Sequence, residues 1–203
     1  METKKILFYV IAGILGGCIP VMTLNPFYDD SNIVFEEKLL GSWVDDTNEP
    51  DTTWNFFRGE DDPNNSYKLI LTDNEGKKGI FTAHLVKLDN KLFFDLYPSE
   101  MPTEDPNKVD WEYNGLFFLP VHTFIKIDNI DSQLILRTTL QSKMKELFEE
   151  HPNAIEYKEI EDRLIITSST KELQAFVLKY LEDERLFSDK ITLDRMTNKT
   201  SKP

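Results

Sequence analysis

From Leu39 onward the chain breaks into short runs of alternating apolar and polar residues, each closed by turn chemistry. That pattern commits it to antiparallel β-structure, because alternation buries one face of a strand and short polar loops join neighbours in a meander. LLGSWV is followed by the acidic loop DDTNEPD, and TTWNFFR by GEDDPNN. SYKLILT turns through DNEG into KKGIFTAHLVKL, which turns through Asp89-Asn90 into KLFFDLYP. A longer polar stretch over residues 99–114 leads to GLFFL, and HTFIKI turns through DNIDS into QLILRT. With GLFFL and HTFIKI counted apart, about eight strands precede the first helix. The 14 Phe residues fit this reading, since aromatic side chains suit a pleated, half-buried surface.

Helical spacing then takes over. Leu140, Met144, Leu147 and Phe148 share one helix face, with Thr138 and Gln141 at capping-box spacing and Pro152 barring continuation. DRLIIT then runs into a second helix, SSTKELQAFVLKYLED, where Ser169 and Glu172 suit a capping box. Leu173, Phe176, Val177, Tyr180 and Leu181 form its apolar stripe. Both stripes predict packing against the sheet.

The amino terminus carries a different signal. Lys4 and Lys5 precede an apolar run over residues 6–15, and two glycines follow, the layout of a secretory signal peptide. Gly13, Gly16, Gly17 and Pro20 weaken the run as a spanning helix. The stretch Leu15-Gly16-Gly17-Cys18 resembles the lipobox of bacterial lipoproteins. The resemblance implies cleavage between Gly17 and Cys18, a diacylglyceryl thioether on the Cys18 sulfur and acylation of the new amino terminus. One cysteine and no disulfide partner accord with that use, and several acyl chains suffice for stable anchoring. Ile19 in place of Asp favours the outer membrane, where the cell has one.

A second resemblance lies in the domain. Gly41-Ser42-Trp43 on the first long strand is similar to the G-x-W of lipocalins and related barrels, in which an arginine from the last barrel strand packs over the Trp ring. Arg137, at the end of the eighth expected strand, is the residue this resemblance assigns to cover Trp43. An eight-stranded barrel has room for side chains or one small ligand. Trp54, Phe56, Phe94 and Phe118 are the expected interior residues and would line any cavity.

One constellation has the look of chemistry. If Asp89-Asn90 is a two-residue loop, Leu88 faces Lys91 and His84 lies across from Asp95. An imidazole oriented by a carboxylate is the back half of a catalytic triad. No G-x-S-x-G supplies a nucleophile, so a structural His–Asp pair is expected rather than an enzyme. Thr82, Val86, Phe93 and Tyr97 would share that face, and Phe81, Ala83, Leu85, Leu92, Phe94 and Leu96 the opposite, core face. His84, His122 and His151 lack partners at metal-ligand spacing, and neither a calcium loop nor a phosphate-binding glycine loop is present, so no metal or cofactor is expected. A net charge of −13 argues against nucleic acid as a partner.

These readings predict a signal peptide over residues 1–17, a tether over 18–38, a domain over 39–188 and a tail over 189–203. The fold expected is mostly β (α+β): an antiparallel lipocalin-like eight-stranded barrel or strongly curved sheet with two C-terminal helices. The role implied is that of a lipid-anchored protein of the bacterial cell envelope. It would bind a small apolar ligand or an envelope protein, with a pocketless scaffold as the alternative and a hydrolase built on His84 and Asp95 as the remote one.

Overall fold

A computed structural model of the chain describes residues 19–45, 52–99, 119–187 and 190–196. The Asp89-Asn90 turn shows how sequence sets the sheet. Asp89 takes a positive φ of 51°, as a two-residue hairpin loop requires, and Leu88 pairs with Lys91. The turn joins β6 (Lys78–Leu88) to β7 (Lys91–Pro98), and the register it imposes sets His84 opposite Asp95, as expected.

Around this hairpin run β3 (Gly41–Asp45), β4 (Thr52–Arg58), β5 (Tyr67–Asp73), β8 (Thr123–Asn129), β9 (Gln133–Thr138) and β12 (Ile191–Arg195). Their order is β6-β5-β4-β3-β12-β9-β8-β7, and β7 pairs again with β6, so eight antiparallel strands close into a barrel. Closure leaves the ring without an unpaired edge. The lipocalin-like architecture is therefore present, built from seven of the expected strands and one that was not expected. Ile191–Arg195, assigned from sequence to a tail, inserts between β9 and β3 and completes the ring. GLFFL lies largely outside the described residues.

Alternation produces two cores. Inside the barrel lie Trp43, Phe56, Tyr67, Leu69, Leu85 and Phe94, all essentially buried. Outside it, Val86, Phe93 and Phe124 pack against α1 (Gln141–Glu150) and α2 (Thr170–Lys179). The stripes Met144-Leu147-Phe148 and Leu173-Phe176-Val177 are the buried faces of these helices, as their spacing predicts. Ser169 and Glu172 form the expected capping box, whereas α1 starts at Leu140 with no side-chain cap, so Thr138 does not serve as one. The helices belong to a small unit with a three-stranded sheet of β1 (Met22–Thr23), β11 (Arg163–Ile166) and β10 (Tyr157–Ile160).

The expected tether is part of the fold. Val21 and Phe27 are fully buried, Met22–Thr23 run parallel to β11, and β2 (Ile33–Val34) pairs with β6. The physical reason is that Val21 and Phe27 fill the second core, which stays incomplete without them.

The floor of the barrel corrects one further expectation. Arg195, not Arg137, covers Trp43: its guanidinium carbon stands 4.3 Å from the indole centroid. Arg195 Nη1 donates to Leu40 O at 3.0 Å and Nη2 donates to Lys38 O, while Trp43 Nε1 donates to Leu39 O at 2.9 Å. Gly41 has a φ of +117°, and a Cβ there would come within 3.1 Å of Arg195 Nη1, so the glycine of G-x-W suits both the backbone and the cap. Arg137 alternates with the inward Leu134 and Leu136, and its Nε donates to Asp128 at 2.8 Å. The cap belongs to whichever strand closes the ring, and that strand is β12.

Candidate functional site

On the outer face of β6 and β7 two polar pairs, Thr82–Tyr97 and His84–Asp95, follow the apolar pair Val86–Phe93. Asp95 is fully buried. Its Oδ2 accepts from the Phe27 backbone N–H at 2.7 Å, and its Oδ1 lies 2.8 Å from His122 Nδ1. His122 is held there by a backbone bridge to Thr23, with N–H to O contacts of 2.9 Å in both directions. The carboxylate thus joins three segments: β7, the entry to β8, and the N-terminal arm.

Rings surround this clip. Tyr97 lies 4.5 Å from His122, and Tyr28 lies 4.1 Å from His84. Burial, reinforced by the nearby Asp95, raises the Tyr28 phenol above its ordinary pKa. Burial also lowers the His84 pKa, against the opposing pull of Asp95 and Asp62. The His84 Nδ1 atom is buried with no hydrogen-bond partner among the described residues. His84 forms one wall of a cleft of about 250 Å³ whose other side includes Glu60, Asp61, Asp62 and Lys68. Lys68 is paired with Glu60 at 2.8 Å, and Asp62 accepts from Asn65.

The expected His84–Asp95 pair is therefore opposed in register but not bonded. The histidine on the carboxylate is His122, which the sequence reading left unassigned together with Phe27 and Tyr28. Alternation on β8 sets His122 on the same face as Phe124, but the register that puts Phe124 opposite Asp95 has no signal in the sequence. A His oriented by Asp95 needs a nucleophile before it can do acyl-transfer chemistry. Two threonine hydroxyls beside the arm are donors elsewhere: Thr23 Oγ1 donates to Asn25 O, and Thr123 Oγ1 donates to Val21 O. Among the described residues no group of three His, Cys, Asp or Glu side chains is placed to hold a metal. The arrangement is that of a structural clip fastening the arm.

Three of the four expected ligand-lining residues, Trp54, Phe56 and Phe94, come together as buried side chains of the barrel interior. The Phe56 ring stacks 5.3 Å from Phe94, lies 6.4 Å from Trp54 and meets Tyr67 edge-on at 6.2 Å. The Tyr67 hydroxyl receives the Glu36 N–H at 2.6 Å, and burial pushes its pKa up to about 12. A wider cleft of about 620 Å³ lies on the small unit, lined by residues 152–158 and the start of α2. Its Glu172 is committed to the capping box. Gly17, Cys18 and Phe118 lie outside the described residues, and among those described no helix is long and apolar enough to cross a membrane.

The fold and this face define a class: a closed eight-stranded antiparallel barrel of lipocalin-like build, with a helical unit and an N-terminal arm fastened to its outer wall. No family model matches the chain, and no curated protein or solved structure matches it.

Proposed function

We propose that the chain is a lipid-anchored lipoprotein of the bacterial cell envelope whose barrel serves as a solid support, with a protein partner engaging its exterior. The anchor rests on Leu15-Gly16-Gly17-Cys18 after an apolar leader. The choice of support over carrier rests on one observation: Trp43, Phe56, Tyr67 and Phe94, each at most 1% exposed, occupy the interior where a ligand would sit. Ligand sites are concave and largely preformed, and side chains packed at native density leave no such volume.

The test is titration with an apolar fluorophore. Wild type is expected to show no saturable binding, whereas Phe94→Ala, which removes one ring from the stack, gains it, since dry apolar cavities accept small apolar molecules. Saturable one-to-one binding by wild type, competed by lipid, overturns the support reading. Palmitate incorporation tests the anchor separately: Cys18→Ser must lose the label, and equal labelling of wild type and variant refutes lipidation.

A further inference from the structure

We infer that one particular edge of the body, the β10–β11 hairpin with the first turn of α1, rests on the surface of the lipid bilayer. This rests on the reading that Cys18 is acylated. The observation behind it is the lack of slack after that residue. Ile19 follows Cys18 directly, at about 3.8 Å between Cα atoms, and the chain is gripped from there on. The Gln141 backbone N–H donates to Ile19 O at 3.1 Å, and Gln141 Nε2 donates to Pro20 O at 3.2 Å. Gln141 Oε1 accepts from the Leu164 N–H at 3.1 Å, and the side chain is 4% exposed. One buried amide thus ties the first described residues to both α1 and β11.

That grip determines which surface lies beside the acyl chains. β1 runs parallel to β11 with Met22 beside Ile165, so Pro20 falls level with Arg163 at the hairpin tip. Ile160 pairs with Arg163 there and is 57% exposed, an apolar side chain at a turn where the chain reverses. The charges of this edge balance: Lys143, Lys158 and Arg163 stand with Glu159, Glu161 and Asp162. On a chain of net charge −13, a balanced edge is one an anionic bilayer does not repel. Ile160 presents a small apolar contact, and the anchor makes that contact intramolecular, so a weak interaction suffices to orient the body.

The acylated mature protein in phosphatidylcholine–phosphatidylglycerol vesicles provides the test. The acylated Cys18 sulfur no longer reacts with a thiol dye, so an introduced cysteine carries the label. Ile160→Cys and Arg163→Cys report the proposed edge. Asn90→Cys reports the far end: Leu96 pairs with Thr123 beside Val21, and Asn90 lies six residues earlier on the β7 hairpin, about 20 Å away. Lipids with a nitroxide on the headgroup are expected to quench labels at 160 and 163 several-fold more than a label at 90. Inserting twenty Gly/Ser residues between Cys18 and Ile19, a reach of about 25 Å, is expected to reduce that quenching to the level at 90. Equal quenching at all three positions, or quenching unchanged by the spacer, overturns the inference. An unacylated Cys18 in the mass spectrum instead overturns the anchor reading on which it stands.

Discussion

Replacing Asp95 with alanine tests the clip on which the arm depends. The carboxylate is fully buried and takes two donors, the Phe27 N–H and His122 Nδ1. Alanine leaves both without an acceptor, and each unpaired buried donor costs about 1–3 kcal/mol. Phe27 is fully buried, which places its N–H toward the upper figure. The His122 side chain is 12% exposed and reaches water in part, so the lower figure applies. The expected loss is about 3–4 kcal/mol, a large share of the 5–15 kcal/mol that holds a typical domain together.

Asp95→Asn separates hydrogen bonding from charge. The amide oxygen still accepts from Phe27, and the amide nitrogen donates to His122 Nδ1 once that ring carries its proton on Nε2. The asparagine variant is therefore expected to lose about 2 kcal/mol less than alanine. Urea unfolding followed by tryptophan fluorescence gives the global term, and hydrogen exchange at the Phe27 amide reads the arm alone. An alanine variant within about 1 kcal/mol of wild type, with Phe27 still protected, refutes the clip. Equal losses for asparagine and alanine show instead that charge, not hydrogen bonding, sets the cost.

Two further outcomes follow from the same geometry. Arg195→Ala removes the cation over Trp43 and two donors to backbone carbonyls, and should cost about 1–2 kcal/mol. Arg137→Ala, whose side chain pairs with Asp128 on the outer wall, should cost less than about 1 kcal/mol; thermal denaturation of the two variants showing the reverse order would mean the ring is closed some other way. His84 has a lowered pKa in the folded state, so below its ordinary value of 6.5 the unfolded chain binds more protons and stability falls with pH. His84→Gln should flatten that slope below pH 6.5, as measured by urea midpoints; an unchanged slope assigns the proton uptake to another group.

The parts of this fold that sequence reveals are those whose geometry is local. Asp89-Asn90 leaves no slack, so the opposition of His84 and Asp95 and the sorting of eleven β6 residues onto two faces could be read directly. His122 could not, because the long segment between β7 and β8 hides their register, and register is what carries His122 to Asp95. Arg137 was the expected cap because it ends the last strand before a helix. The true cap, Arg195, lies on a five-residue strand beyond both helices, and such a strand offers only Ile191 and Leu193 as alternating signal. The arm was equally opaque. Strands of two residues show no period, and the burial of Val21 and Phe27 depends on elements more than sixty residues away.

On the reading that Cys18 is acylated, the arm also connects anchor and barrel mechanically. From Ile19 the chain is bonded in turn to α1 through Gln141, to β11 through Met22–Thr23, to β7 through Asp95 and to β6 through Ile33–Val34. A pull on Cys18 therefore loads several hydrogen bonds in series across both sheets instead of straightening a loose linker. Phe27 adds an apolar lock, its ring packed 5.0 Å from Phe124 and 5.2 Å from Phe93 on the outer wall. A carrier that must open its barrel gains nothing from such an arm. A support that must hold one face at a fixed height above a membrane requires it, which is why the filled interior and the fastened arm favour the same reading.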